Sequence, residues 1–190
     1  MIRYVSLKLL NFFDYYYQLK LIKFLKKKGY LEFNCFFDIG AHRGETLKLF
    51  LNHFKIVNMF SFEPSIVNFD YLKKNSIKIK DKFKNTNIFL ENYALGNEKK
   101  KLNMKQVNES SSSTINDINT QSNYFKKKSR FLLSFDKKLF YKDIVINQIT
   151  LSDYISENKI QNIDFLKIDT EGYEFNVLLG LKEDLKRVKL

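Results

Sequence analysis

The chain has 190 residues, of which 44% are hydrophobic and 16% aromatic. This length supports one domain with its own core and argues against two. The formal net charge of +12 suits nucleic acid, anionic lipid or an acidic substrate, but Lys, Asn, Ile, Phe and Tyr are abundant together, as a compositional bias of the coding sequence would produce. Charge alone therefore assigns no partner.

Residues 1–31 are predicted to form an amphipathic helical segment that precedes the main domain. Its apolar residues recur at helical spacing: Leu7, Leu10, Tyr17, Leu21 and Phe24. Lysines gather toward its end: Lys20, Lys23 and residues 26–28. Charged residues interrupt it too often for a transmembrane span, and no cleavable signal pattern is present. Two interpretations stay open, docking on the chain's own domain, which we favour, and peripheral contact with an anionic membrane.

Residues 32–190 alternate strand-like and helix-like segments. The predicted strands are "FNCFFDI", "IVNMFSF", "TNIFLENYAL", "DIVINQI" and "NIDFLKI". The predicted helices are "ETLKLFLNHF", "SIVNFDYLKKNS", "TLSDYISENKI", capped by Thr150 or Ser152, and "GYEFNVLLGLKEDLKR". This alternation predicts an α/β fold, a Rossmann-like and mostly parallel sheet with helices on both faces. The lone Cys35 predicts a packed thiol in a reducing compartment, hence a cytoplasmic protein.

A polar insertion at about residues 97–143 interrupts the alternation. It contains "NESSSSTINDINTQSN" and the basic stretch "FKKKSRF", with too little apolar surface for a domain of its own. We predict either a loop with short strands over the active face, where a lid would lie, or partial disorder. For residues 124–130 a solvated basic loop is favoured over a contact with glycan or lipid phosphate.

The stretch "FFDIGAHRGETLKLF" is the first candidate for a ligand site. A Walker phosphate loop is excluded because Glu45 and Thr46 follow Gly44 where Lys and Ser or Thr are required. The dinucleotide pattern G-x-G-x-x-G is absent as well. Asp38 before Gly40 would repel a pyrophosphate but would suit a cationic ligand, such as the sulfonium and ammonium of S-adenosylmethionine.

Other candidates follow the remaining strands. Glu63 in "FSFEPS" stands where a carboxylate accepts both ribose hydroxyls of an adenosine-bearing cofactor. Asn92, Ala94 and Leu95 could line an adenine slot, although "LENYALGN" is also ordinary strand-to-loop sequence. Asp169 should converge with Asp38 and Glu63 at the carboxyl edge of the sheet. An alternative role for Asp169 is helix capping, with Glu171 as a partner of the helix dipole.

These segments together resemble the FkbM-family methyltransferases. The resemblance is carried in order by "FDIGAHRGET", "FSFEPS", "ENYALGN", "SSST", "ITLSDYI" and "IDFLKIDTEGYEFNVLLGL", and it covers roughly residues 34–181. It implies S-adenosylmethionine as cofactor and O-methylation of a hydroxyl on a sugar, glycan or other small molecule. The last block is the most specific of the set.

The resemblance also implies roles for individual residues. Asp38, Gly40, Ala41 and Gly44 would shape the methionine and ribose end of the cofactor site. Glu63 would bind the ribose hydroxyls, and Asn92 and Ala94 would lie near adenine. Asp169 and Glu171 would occupy the active edge. His42 departs from the family, which commonly has asparagine there.

For catalysis we expect Asp169 as the first candidate for general base, followed by Glu171 and His42. We expect no metal, because these residues do not have a diagnostic ligand spacing. A nucleic-acid methyltransferase is disfavoured, since the Asn/Asp-Pro-Pro-aromatic turn of base amino-group methylation is missing and Pro64 is the sole proline. The end "EDLKRVKL" looks like the start of another strand, so a truncated or non-catalytic domain is the alternative. The sequence leaves the oligomeric state open.

Overall fold

The structure is a computed structural model that describes residues 2–107, 113–116, 121–123, 127 and 141–190, with side chains from residue 15 onward. It begins with helix α1, Ile2–Lys27. The helix packs on the domain through Ile22 and Leu25, each 2% exposed. Three of the apolar residues that were predicted at helical spacing have described side chains, and all three are exposed instead: Tyr17, Leu21 and Phe24. The segment is therefore a helix that docks on the domain as favoured, but through different residues.

Four parallel strands form the main sheet in the order β3-β2-β1-β7. They are β1 (Glu32–Ile39), β2 (Lys55–Phe62), β3 (Asn87–Glu91) and β7 (Phe165–Ile168). Helix α2 (Glu45–Leu51) connects β1 to β2, and helix α3 (Ile66–Lys82) connects β2 to β3. The predicted α/β fold with a mostly parallel sheet and flanking helices is confirmed. The carboxyl ends of all four strands consequently lie at one edge.

A second sheet of three strands has the order β4-β6-β5. It comprises β4 (Ala94–Leu95), β5 (Lys100–Val107) and β6 (Tyr141–Ile149). The prediction of one strand through "TNIFLENYAL" was wrong, because the chain leaves the main sheet after Glu91 and pairs again at Ala94. Strand β5 lies inside the predicted insertion. Its lysine-rich sequence did not indicate a strand, although Met104 and Val107 are buried. The basic stretch at 124–130 lies outside the described residues except for Lys127.

The last helices cover the sheet face opposite α1. They are α4 (Leu151–Glu157), α5 (Glu174–Leu179) and a 3-10 helix (Lys182–Arg187). Thr150 caps α4 by accepting a hydrogen bond from Asp153 N–H at 3.0 Å, as predicted. The predicted single helix through "GYEFNVLLGLKEDLKR" divides at Gly180. The chain passes so close to Gly96 there that a Cβ on Gly180 would lie 2.0 Å from the Gly96 carbonyl oxygen.

Aromatic side chains fill both faces of the main sheet because its strands alternate between them. Phe36 and Phe165 stack on the face covered by α1 and α2, with ring centroids 4.8 Å apart. Phe37 and Phe62 lie on the face covered by α4. Cys35 is buried as predicted, and burial raises the pKa of its thiol to about 12. Within the described residues, no helix is both long and apolar enough to cross a bilayer.

Candidate functional site

A cavity of about 1030 Å³ opens at the carboxyl edge of the main sheet. Its walls come from the turn after β1, the ends of β2 and β7, the start of the second sheet and part of α1. This volume is at the upper end of the usual range for ligand sites. The cavity therefore has room for a cofactor and part of a second ligand.

At the turn after β1, backbone segments approach each other closely beside the cavity. Gly40 has φ +83°, and a Cβ at this position would lie 2.0 Å from the Asp169 carbonyl oxygen. The N–H groups of Gly40 and Ala41 both donate to the Phe62 carbonyl, at 3.0 and 2.9 Å. The turn is thus held against the ends of β2 and β7, and only glycine fits at position 40.

Glu63 is the buried carboxylate of the cavity. It follows β2, is 6% exposed and lines the cavity wall. Its Oε2 accepts from His42 N–H at 2.9 Å and its Oε1 from Ser65 N–H at 2.9 Å. Burial raises the pKa of Glu63 to about 7, although both hydrogen bonds oppose that rise. A carboxylate has about four acceptor positions, so two backbone bonds leave capacity for ligand hydroxyls.

Two asparagines support this wall in different ways. Asn92 does not line the cavity; its Nδ2 donates to the carbonyls of Glu63 and Pro64, at 2.8 and 3.1 Å, and fixes the backbone there. Asn68 does line the cavity and is 1% exposed, yet its Oδ1 has no hydrogen-bond partner among the described residues. Ala94, 4% exposed, is also on the wall. The Asn68 carbonyl is therefore a buried acceptor suited to a ligand donor.

Asp38 is placed differently from the expectation that it faces the ligand. It is fully buried and does not line the cavity, and its Oδ1 accepts from Lys167 Nζ at 3.0 Å. Lys167 does line the cavity, and its Nζ also lies 3.4 Å from Asp169 Oδ2. Burial opposes the charged ammonium, but Asp38 and Asp169 raise the pKa of Lys167 above its ordinary value. The carboxylate of this group that lines the cavity is thus Asp169.

The Lys167–Asp38 pair makes a strong stability prediction. Lys167→Met is expected to lower the free energy of unfolding by about 3–5 kcal/mol at neutral pH, because it leaves the Asp38 charge buried without its cation. Burial raises the pKa of Asp38, so this loss of stability should be small below the ordinary aspartate pKa and should grow as pH rises above it. Urea unfolding at several pH values measures both effects.

The Lys167→Met prediction has an internal control. Adding Asp38→Asn to Lys167→Met should recover most of the lost stability, because the uncompensated charge is gone. A Lys167→Met variant as stable as the wild type at every pH would contradict a structural role for the pair.

Glu174 organises the turn that carries Asp169 and Glu171. Its Oε1 accepts from Thr170 N–H at 3.0 Å, from Thr170 Oγ1 at 3.2 Å and from Gly172 N–H at 3.1 Å. Burial raises the pKa of Glu174, but these bonds outweigh it and keep the pKa below its ordinary value. Glu171 has φ +52° in this turn and lines the cavity. Glu174 is therefore the residue that fixes the shape of the turn.

Residues 113–116 of the insertion pack on the same turn. Thr114 Oγ1 donates to the Glu171 carbonyl at 2.8 Å, and Asn116 Nδ2 donates to the Gly172 carbonyl at 2.7 Å. The two other residues of this segment, Ser113 and Ile115, line the cavity, and Ser113 Oγ accepts from Val107 N–H of β5 at 3.1 Å. Residues 113–116 of the insertion therefore lie beside the cavity, and the prediction that the insertion covers an active face stays a prediction.

His42 and Glu45 form a pair in the turn beside Glu63. His42 Nδ1 lies 3.2 Å from both carboxylate oxygens of Glu45, and both residues line the cavity. Burial works against ionisation of Glu45, but His42 and the Arg43 N–H lower its pKa below the ordinary value. A histidine oriented by a carboxylate can accept a proton from a ligand and be stabilised as imidazolium.

Most of the predicted site residues meet at this one cavity. Those that line it are Gly40, Ala41, His42, Glu63, Ala94, Asp169 and Glu171. Asp38, Gly44 and Asn92 lie behind the wall. Sequence reasoning missed Lys167, Asn68 and Glu174. Only Lys167 carried a signal, since it stands two residues before Asp169 in a strand and so shares its side of the sheet.

Metal ligands were also sought among the described residues. No group of three or more His, Cys, Asp or Glu side chains lies close enough there to hold a metal ion. The expectation of a metal-free site stays a prediction.

Comparison with known proteins gives two matches. Residues 38–190 match the sequence model of the methyltransferase FkbM domain. The fold is similar to the crystal structure of methyltransferase FkbM from Methylobacillus flagellatus KT, with a TM-score of 0.50 and 17% identity over 80% of this chain. The match spans 30% of that protein's chain. No curated protein matches the sequence.

Proposed function

Because the chain belongs to the FkbM methyltransferase family, we propose that it binds S-adenosylmethionine and methylates a hydroxyl of a sugar, glycan or other small molecule. The observation that carries the proposal is Glu63, a carboxylate 6% exposed at the end of β2 that faces a large cavity beside a glycine turn. Carboxylates at this place in Rossmann-like sheets accept ribose hydroxyls.

The described residues fit an adenosine-bearing donor. Glu63 has acceptor capacity beyond its two backbone bonds, and the buried Asn68 Oδ1 beside it adds an acceptor that has no donor among the described residues. Gly40 lets the turn approach the Asp169 carbonyl more closely than any side chain would allow. Ala94, on the wall formed by the second sheet, leaves room for a flat ring. We assign the ribose to Glu63 and Asn68 and the adenine to the wall at Ala94.

The charged end of the donor fits the other half of the cavity. Asp169 and Glu45 both line it, and Asp38 lies directly behind Lys167. The acidic residues that line the whole cavity are Glu45, Glu63, Asp169 and Glu171, and the basic ones are Arg43, Lys48 and Lys167. With Asp38 behind Lys167, acidic groups outnumber basic ones, which suits a cationic ligand. When bound, S-adenosylmethionine supplies an activated methyl group on a sulfonium.

The chain itself must position the acceptor hydroxyl and take its proton. Proximity and orientation of this kind contribute about 7–11 kcal/mol in favourable intramolecular reactions. Asp169, Glu171 and His42 all line the cavity and remain the candidates for general base. The contact with Glu45 supports His42 in that role, whereas the contact of Asp169 with Lys167 supports a positioning role for Asp169.

Calorimetric titration of the chain tests the proposal. We expect saturable binding of S-adenosylmethionine and S-adenosylhomocysteine, and at least about 10-fold weaker binding of NAD, whose pyrophosphate would meet the carboxylates of the cavity. A folded chain that binds neither sulfur compound would overturn the proposal. A chain that prefers NAD would replace it with a dinucleotide function.

A further inference from the structure

Helix α1 carries a row of exposed apolar side chains that nothing in the described structure covers. Tyr17, Leu21 and Phe24 have the spacing i, i+4, i+7 and are 65%, 39% and 55% exposed. They lie on a different side of the helix from Ile22 and Leu25, which hold it on the domain. The row is therefore not required for docking within the chain.

A row of lysines runs beside the apolar row. Lys20, Lys23 and Lys27 have the spacing i, i+3, i+7, so they share one side of the helix. Lys20 Nζ lies 4.7 Å from the centre of the Tyr16 ring, over a side chain that is itself 48% exposed. Residues 15–31 hold five lysines and no acidic residue. The surface is thus both apolar and strongly cationic.

This combination selects one occupant among the candidates. A second copy of the helix would set one lysine row against another, which is unfavourable. A nucleic acid would pair with the lysines but would leave the apolar row in water. An anionic bilayer surface satisfies both, because apolar side chains enter the boundary of the acyl chains while lysine stems reach the phosphates.

We infer that helix α1 binds the protein peripherally to an anionic membrane surface through Tyr17, Leu21 and Phe24, with Lys20, Lys23 and Lys27 on the lipid headgroups. This inference does not require the proposed methyl transfer, since it rests on the exposure and the charge of α1. Tyr17 belongs both to the apolar row and, with Tyr15 and Gln18 of the same helix, to the wall of the cavity. The cavity consequently borders the membrane-facing side.

Co-sedimentation of the full chain with vesicles tests the inference. We expect binding to vesicles of equal parts phosphatidylcholine and phosphatidylserine, and none to vesicles of phosphatidylcholine alone. Raising the salt concentration should weaken the binding, because exposed charges are screened. Absence of binding to the anionic vesicles at low salt would overturn the inference.

Two triple variants separate the contributions of the two rows. Each triple variant should weaken vesicle binding about 10-fold or more. The apolar variant combines Tyr17→Ser, Leu21→Ser and Phe24→Ser, and the lysine variant combines Lys20→Gln, Lys23→Gln and Lys27→Gln. The matched lysine control is Lys74→Gln, Lys78→Gln and Lys80→Gln on α3, which removes the same charge from exposed positions. The matched apolar control is Ile77→Ser, Val145→Ser and Leu185→Ser, at 62%, 70% and 52% exposure.

Both controls should bind vesicles like the wild type. Controls as weak as the α1 variants would overturn the inference, because binding would then follow overall charge or hydrophobicity. A wild-type dimer that the apolar triple variant dissociates, without vesicle binding, would identify a second copy as the occupant instead. Circular dichroism of each variant verifies that it is folded.

Discussion

Replacing Glu63 by Gln is expected to weaken the binding of S-adenosylhomocysteine by about 100-fold. A hydrogen bond to a charged group contributes about 1.5–3 kcal/mol, and the proposed site uses this carboxylate for the ribose hydroxyls. The amide also loses one acceptor oxygen, so it cannot keep both N–H bonds from His42 and Ser65. Calorimetric titration measures the affinity, and thermal unfolding verifies that the variant is folded.

Glu91→Gln is the matched control for this substitution. Glu91 is the last residue of β3, and Glu63 comes directly after the neighbouring strand β2. Glu91 accepts a hydrogen bond from Tyr154 O–H at 2.9 Å, but it does not line the site cavity. We expect its variant to bind S-adenosylhomocysteine like the wild type. Equal affinities for the wild type and the folded Glu63→Gln variant would rule out Glu63 as a ligand for the cofactor.

The same carboxylate predicts a pH dependence in the wild type. Burial raises the pKa of Glu63 to about 7, so its neutral form dominates in the free protein below that pH. Bound hydroxyls favour the charged form, and affinity should therefore fall as pH drops below about 7, approaching 10-fold per pH unit. The Glu63→Gln variant should lack this dependence. A flat wild-type profile between pH 5.5 and pH 8, about the range where Glu63 titrates, would contradict the assignment.

Gly40→Ala is expected to abolish cofactor binding and to destabilise the fold. The new Cβ would lie 2.0 Å from the Asp169 carbonyl oxygen, and φ is +83°. Backbone strain and overpacking together cost about 2–6 kcal/mol. Because the collision separates the end of β1 from the end of β7, it also displaces the N–H of His42 from Glu63. Urea unfolding and titration with S-adenosylhomocysteine measure the two effects.

Gly29→Ala separates backbone strain from collision. Gly29 has φ +88°, similar to Gly40, but nothing lies within 4 Å of the Cβ it would gain. Its variant should lose only the stability that strain in the left-handed conformation costs, about 1–2 kcal/mol. It should bind the cofactor like the wild type. If the two alanine variants were equally stable and both bound S-adenosylhomocysteine, the close approach at Gly40 would not matter for the site.

Local patterns were enough for the main sheet and much of the site. The strands β1, β2 and β7 are apolar runs bounded by polar turns, and Asp169 and Glu63 follow such runs directly. Strand β5 escaped detection because only Met104 and Val107 among its residues are fully buried, and they lie three positions apart. A strand in a charged segment whose buried residues do not alternate has too weak a pattern to be recognised from its own residues.

Helix α1 illustrates a different limit. Its sequence offers two apolar rows, and each would suit a docking face at helical spacing. Packing into the buried cluster of the domain core selected Ile22 and Leu25, and left Tyr17, Leu21 and Phe24 outside. A choice between two equivalent faces depends on the shape of the partner surface, which no local pattern contains.

The sequence by itself determined the α/β alternation, the family, the glycine turn and the carboxylates at the strand ends. The alternation, the turn and the carboxylates follow from periodicity and from residue types that a turn or a strand end requires, whereas the family follows from the resemblance of several segments in order. The tertiary structure alone decided that Lys167 pairs with Asp38, that the Asn68 Oδ1 has no partner among the described residues and that Glu174 shapes the turn at Glu171. Lys167 and Asp38 are far apart in the chain, and the pairing of the Asn68 oxygen depends on packing, so both exist only once the strands are side by side. The Glu174 bonds join near neighbours, but they require the positive φ angles at Glu171 and Gly172 that the folded backbone adopts.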